Sequence, residues 1–259
     1  MDADILEPYR DLRRGPGPGR FVVEGALAVE RLIASGLELE SLVCTPSQRA
    51  RLELPTGAAV VELSRAKIAE LVGFEFHRGV LACARRPPLR RALEPRELDR
   101  LRGSERARIV VAEGLADPRN LGALIRNAAA FGVDLVIADA RGADLYARLT
   151  IRASVGNVFR VPTLVCEELP AMIDALAGAL PAAVVAATPA PEATALGQFE
   201  APARLLLLVG NEGAGLSSQL LARAEHRVRI PVAPGSDSLN VAAATAVLLH
   251  GLTRTPQTC

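Results

Sequence analysis

Three short stretches hold residues whose types and spacing could do chemistry. The first is DPRNLGALIRNA, residues 117–128. Asn120 stands where a loop becomes a helix and can cap it. Gly122 admits a close neighbour, and Arg126 follows inside an otherwise apolar helix, pointing back toward its start. A guanidinium there presents a planar fork suited to a phosphate or carboxylate; the competing reading is a solvated surface charge. The second stretch is GNEGAGLS, residues 210–217. Gly210, Gly213 and Gly215 permit positive φ and let bare backbone approach a ligand, and Ser217 can cap the next helix. No Gly-Lys-Ser/Thr follows and the spacing is not GxGxxG, so neither phosphate-binding loop fits. Glu212 inside the turn would repel a phosphate, so a ligand beside it is expected to be neutral or cationic; otherwise the stretch is a tight strand-to-helix turn. The third is PVAPGSDSLN, residues 231–240. Pro234-Gly235 reads as a turn, followed by Ser236, Asp237, Ser238 and Asn240. Capping a helix takes one such side chain, and four exceed that need.

The elements that must position these residues follow from periodicity. Residues 20–87 read as strand, helix, strand, strand, helix and strand, with Ser64 as an N-cap and Pro87-Pro88 as a stop. This makes residues 1–88 a small α/β domain. Residues 89–106 are rich in Arg and Glu, carry Pro95 and read as a linker with one short helix. From 107 to 259, strands and helices alternate. ARIVVAEGL is an apolar run of the kind a parallel strand shows when both its faces are covered. LGALIRNAAAFG is a helix closed by Gly132, DLYARLTIRAS is helical, NVFRVPTLV is a strand, and NVAAATAVLLHGL is a final helix of small residues that must pack closely. The alternation predicts a mostly parallel, doubly wound α/β sheet, whose ligands bind beyond the carboxyl ends of the strands. All three stretches belong there.

Composition narrows the function. With 259 residues, 50% hydrophobic and 23% charged, the chain is globular. Its net charge of +1 does not announce a nucleic-acid binder. Arginines nevertheless cluster: Arg10, Arg13, Arg14 and Arg20, then Arg85, Arg86, Arg90, Arg91, Arg96, Arg100, Arg102, Arg106 and Arg108. They read either as solvated linker charge or as a phosphate-contacting surface. Cys44, Cys83, Cys166 and Cys259 are scattered without CxxC pairs, against a metal site or a disulfide framework and in keeping with a reducing cytoplasm. The N-terminus lacks an apolar signal core, and no apolar run approaches membrane length. With only His77, His226 and His250, a histidine-based site is disfavoured. A serine hydrolase would need GxSxG, which GLSSQ and GSDSL do not supply. A methyltransferase of the classical nucleotide-binding fold would need a glycine loop after its first strand, where this chain has ADPRN.

In order and spacing, the three stretches resemble the motifs of the SpoU (TrmH-like) family of S-adenosylmethionine-dependent RNA 2′-O-ribose methyltransferases, in the SPOUT class. RASVGNVFRVP, residues 152–162, is similar to the family's central segment. The likeness covers about residues 107–259. FVVEGALAVERLI and FHRGVLA look like the RNA substrate-binding domain that many members carry, itself similar to a small RNA-binding ribosomal-protein fold. The resemblance implies a deep trefoil knot and a homodimer formed through the C-terminal domain. It implies a methyl-donor pocket lined by Gly210, Ile230 and Leu239, largely through backbone, with Asn211, Glu212 and Gly213 in the same loop. It makes Arg126 the main catalytic residue, with Asn120 orienting Arg126 or the ribose, and Ser238 and Asn240 contacting ribose or donor. It implies RNA as partner, ribosomal RNA ahead of transfer RNA, and no metal. A non-catalytic RNA-binding or ribosome-assembly factor keeping the fold is the competing class. His77 and Arg78 read either as an ordinary strand-edge turn or as contacts to a flipped base and a phosphate. Two positions depart from the family pattern: Asn127 stands where many members have Thr, and Ala242 where many have Ser.

Overall fold

A computed structural model of the chain describes residues 5–12, 15–233, 235–236 and 238–253. Arg13, Arg14, Pro234, Asp237 and Cys259 lie outside the described residues. The chain forms two compact units. One comprises residues up to Pro88 together with Asp144–Arg160; the other comprises Leu89–Ala143 and the residues from Val161 on.

The first unit carries β1 (Arg20–Glu24), α1 (Ala26–Ala34), β2 (Leu39–Cys44), α2 (Pro46–Arg49), β3 (Ala59–Glu62), α3 (Arg65–Val72) and β4 (Val80–Arg85). The sheet order is β1-β4-β2-β3, with β4 antiparallel to both neighbours and β2 parallel to β3. Ser64 caps α3, accepting from the Lys67 N–H at 3.3 Å, as its sequence position foretold. Tyr9, Val22, Val43, Ile68 and Leu81 form one buried cluster.

The second unit carries α4 (Pro95–Gly103), β5 (Ala107–Ala112), α5 (Pro118–Ala130), β6 (Leu135–Asp139), β7 (Thr163–Cys166), α7 (Leu169–Ala179), β8 (Ala183–Ala187), β9 (Thr194–Ala195), β10 (Arg204–Val209), α8 (Ser218–Leu221), β11 (His226–Arg229) and α9 (Val241–Thr253); α6 (Arg148–Ala153) belongs to the first unit. The seven strands run β7-β6-β5-β10-β8-β11-β9, and every pairing is parallel. Leu206, Leu207 and Leu208 are fully buried in the central strand, which is why their run has no polar alternation.

Three readings need correction. Residues 89–106 are not a loose linker. Glu94 and Glu97 form a capping box that starts α4, Leu101 is buried in the core, and the Arg90 carbonyl accepts from the Val165 N–H at 2.8 Å. Nor is the arginine cluster an open cationic surface. Arg86 makes a bidentate pair with Asp144 at 2.5 and 2.6 Å. Arg85 pairs with Glu38 and Glu40, Arg90 with Glu97, Arg91 with Glu167, and Arg100 with Asp134. Carboxylates of the same chain answer most of this charge. Finally, NVFRVPTLV is not one strand. Val155 and Gly156 both take positive φ, 53° and 75°, Asn157–Phe159 is a 3-10 turn, and only Thr163–Cys166 extends.

Candidate active site

All three chemistry-bearing stretches follow strands of the one parallel sheet, β5 and β10 side by side and β11 beyond β8. DPRN follows β5, GNEGAGLS follows β10 and PVAPGSDSLN follows β11, at the carboxyl edge of the parallel sheet. Asp117, not Asn120, caps α5. Its carboxylate accepts from the Arg119 N–H at 2.8 Å, and Pro118 fills the first helical position. The Asp117 carboxyl is held below the usual carboxylate range, first by the hydrogen bond from the Arg119 side chain and then by that N–H. Relieved of capping, Asn120 turns to the other stretches. Its Nδ2 donates to Glu212 Oε1, and its Oδ1 accepts from Asn240 Nδ2 at 3.0 Å. Asn240 in turn starts α9, its Oδ1 accepting from the Ala242 N–H at 2.9 Å. One hydrogen-bonded line, Glu212–Asn120–Asn240, therefore ties a residue from each stretch to the next.

The glycine loop is built backbone on backbone. A Cβ at Gly210 would stand 2.3 Å from the carbonyl carbon of Gly215, so no other residue fits there without a shift. Gly215 is the loop glycine with positive φ, at 68°; Gly210 and Gly213 do not use that freedom. The Asn211 side chain organises the turn. Its Oδ1 accepts from the Gly213 and Ala214 N–H groups, and its Nδ2 donates to the Gly114 carbonyl at 2.8 Å. Buried Glu113, at the end of β5, accepts from the Ser217 N–H at 2.7 Å and anchors the loop's exit.

Beside this line lies a cavity of about 720 Å³. Gly210, Asn211, Glu212, Gly213, Ile230, Ser238 and Leu239 line it, together with Val209, Val241 and Leu248. Thr188, Pro189 and Pro191, which follow β8, also line it and were missed in the sequence; their signal was a proline-broken loop after an apolar strand. Among the described residues the charged groups on the wall are Glu212 and Arg229. Volume and lining suit a small organic ligand with an apolar body and a few polar groups. Among the described residues no cluster of metal-ligating side chains occurs.

Arg126 is exposed, and among the described residues no carboxylate pairs with it. Asn120 does not bond to it: six residues along a helix place Arg126 about 120° away around the axis. The neighbouring Asn127 donates from Nδ2 to the Ala242 carbonyl at 2.7 Å, so the two positions that depart from the family pattern touch. His77 is exposed beside Glu75, while Arg78 lies on Glu24 in the first unit, bonding its carbonyl at 3.4 Å.

A sequence profile of the SpoU rRNA methylase family matches residues 107–250, more than half of the chain. The chain belongs to this family. It is an RNA methyltransferase by membership, and the resemblance read from the motifs is the right one. An uncharacterised tRNA/rRNA methyltransferase of Mycobacterium bovis is 35% identical, over 98% of this chain and 90% of the relative. The 23S rRNA (guanosine(2553)-2′-O)-methyltransferase RlmP of Bacillus subtilis is 27% identical, over 90% of this chain and 88% of its own. A solved RNA 2′-O ribose methyltransferase superposes with a TM-score of 0.76 at 32% identity, covering 96% of this chain and 93% of that one. An rRNA methyltransferase from Sinorhizobium meliloti, solved with AdoMet bound, gives 0.76 at 25% identity, over 97% and 93%. The likeness to these two structures covers residues of both units, while the family profile covers residues 107–250. No helix among the described residues is long and apolar enough to cross a membrane.

Proposed function

We propose that this SpoU-family protein transfers a methyl group from S-adenosylmethionine to a ribose 2′-hydroxyl of RNA, in ribosomal RNA ahead of transfer RNA. The observation that carries the reading is the Glu212–Asn120–Asn240 line at the edge of the cavity. It holds together residues from three separate loops that packing alone has no reason to join. The donor supplies a methyl group on a positively charged sulfur: the ribose oxygen forms the new C–O bond, the C–S bond breaks to leave a neutral thioether, and the hydroxyl proton is released.

The chain's residues do the rest. Gly210, Asn211, Gly213, Ile230 and Leu239 enclose the donor, the glycine loop with bare backbone and the others with apolar wall. Glu212 places negative charge where a cation must sit, fixed by the Asn120 amide. Ser238, on the wall without a described partner, turns its hydroxyl to ribose or donor. Arg126 holds the target phosphate through its guanidinium fork and stabilises charge developing on the ribose oxygen. Holding the two reactants in line is the larger part of such a step. RlmP, a ribose methyltransferase of 23S rRNA, favours ribosomal RNA as substrate.

The same reading gives the chain's path. α9 follows β11 and packs on α5, which follows β5, and β8 and β10 stand between those two strands in the sheet. We read that arrangement as the trefoil knot. The outer face of α9, where Val247 is 41% exposed next to Ala243, is the homodimer surface. The unit made of the residues up to Pro88 and Asp144–Arg160 binds RNA, and the unit made of Leu89–Ala143 and the residues from Val161 on methylates. The buried free thiols Cys44, Cys83 and Cys166 suit the cytoplasm. Calorimetric titration with S-adenosylmethionine tests the donor site. Micromolar binding, abolished by Gly210→Trp in a variant that still melts cooperatively, is expected. Absence of binding both alone and with ribosomal RNA present would leave an RNA-binding factor instead.

A further inference from the structure

α5 faces α9 along one stripe. Asn120 and Asn127 are seven residues apart, about 20° short of two full turns, so they lie one above the other. Asn120 bonds Asn240, and Asn127 bonds the Ala242 carbonyl at 2.7 Å. At the far end of the stripe Phe131 packs edge-on to His250, with ring centroids 6.1 Å apart. The two helices therefore run in the same sense, and the start of α9 is held at two points by α5.

α5 is seated by its buried face of Leu121, Leu124, Ile125 and Ala128. The two polar points on one stripe add a directional restraint to that packing, against small rolls of α5 and small slides of α9. The second point is adjacent in sequence to Arg126, an exposed cation that no described carboxylate restrains. The Asn127 amide is suited to this task. It donates to a backbone carbonyl, which has a second lone pair for the helix's own bond, so the clamp does not depend on the side chain at 242. Alanine there is then permitted.

We propose that Asn127 is a positioning residue for the methyl transfer. Its amide locks the rotation of α5 against the first turn of α9 and so sets the direction of Arg126. The inference rests on the proposed function for its catalytic consequence, but the clamp can be read without donor or RNA.

Two variants test it: Asn127→Ala, which removes the amide while keeping a good helix former, and Asn127→Asp, nearly isosteric but unable to donate to a carbonyl. Hydrogen exchange on the whole protein, without ligand, should show the amides of residues 242–246 exchanging at least about tenfold faster in both variants, with the global melting midpoint little changed. Unchanged exchange in both overturns the clamp, whatever the activity. In turnover assays both variants should lose about tenfold in kcat while KM for the donor stays within about threefold, because the Asn120–Asn240 bond still holds the cavity side. Loss confined to KM overturns the positioning role. If both variants show the exchange effect but the wild-type protein binds no donor, that counts against the proposed function and not against the clamp.

Discussion

At the scale of single residues, the site separates groups that hold from a group that acts. Glu212, Asn120, Asn240, Asn211 and Glu113 all have hydrogen-bond partners within the chain. Arg126 has none described and stands in solvent, which is the condition of a side chain waiting for an anion. Arg126→Ala should therefore cost little stability, since an exposed Arg-to-Ala change in a helix touches no packing. It should lower kcat about 100-fold or more, the scale of losing one charge-stabilising donor. Donor affinity, measured by calorimetry, should hold. Full activity in that variant would remove Arg126 from the mechanism. Most of these residues were legible as types in a sequence: Arg126, Glu212 and Asn240 are polar groups where packing does not want them. Their pairings were not. Asn120 looked like a cap because Asp117 was one turn earlier in the same loop and competed for that role. Glu113 gave no signal, and Asn127 showed only as a departure from the family pattern, because an acid ending a strand and an amide on a helix are ordinary until the residues opposite them are known.

At the scale of elements, α5 is the piece on which the site depends. Its start is fixed by the Asp117 cap and Pro118, and its stripe by Asn120 and Asn127. Asp117→Ala should cost about 1 kcal/mol of stability, whereas Asp117→Asn should cost less, since an amide oxygen caps as well. The carboxylate's contribution also has a pH signature. The folded state holds this carboxyl below the unfolded value of about 3.9. Its stabilisation is thus whole above that value and is lost as the pH falls through the lower folded one. Urea titrations of wild type and Asp117→Ala should differ at pH 7 and converge under acid; a gap that persists at low pH would show that the cap does not act through its charge. Elements such as α5 and β10 were readable because one force dominates each: apolar periodicity in the first, continuous burial in the second. Residues 157–162 were misread as strand because VFRVP looks extended, while the actual shape is set by a tertiary clamp just before them. A Cβ at Gly156 would lie 2.9 Å from the Ala28 Cα, and Arg31 donates to the Val155 carbonyl at 2.6 Å, which holds a β-branched residue at positive φ.

At the scale of the whole molecule, the sequence suggested two consecutive domains because composition changes once, near residue 88. The chain instead crosses between its units three times, since Asp144–Arg160 joins the N-terminal unit and then returns to β7. Within that unit Phe21 stacks on Tyr146 and Phe159, with centroids 5.2 and 5.8 Å apart, and buried Glu24 pairs with Arg148 at 2.7 Å. A local reading cannot see this, because the partners lie more than 120 residues apart in sequence and none has an unusual neighbour. The consequence is testable by cutting the chain at the compositional boundary. A fragment of residues 89–259 keeps the cavity and all three loops, which belong to the other unit. It also strips the cover from Tyr146, Ile151 and Phe159 and leaves Arg148 without its carboxylate. Burial of even one such aromatic is worth about 2 kcal/mol, and Arg148 loses the carboxylate that orders its side chain. The fragment should therefore melt well below the full chain and bind a hydrophobic dye, yet still bind S-adenosylmethionine within about tenfold of wild type under conditions where it is folded. RNA methylation should fall much further than donor binding, if residues 1–88 supply the RNA contacts. A fragment that melts like the intact protein and binds no dye would mean that Asp144–Arg160 needs no cover from the N-terminal unit. A fragment that folds but loses the donor would mean that the cavity depends on the segment threaded through that unit.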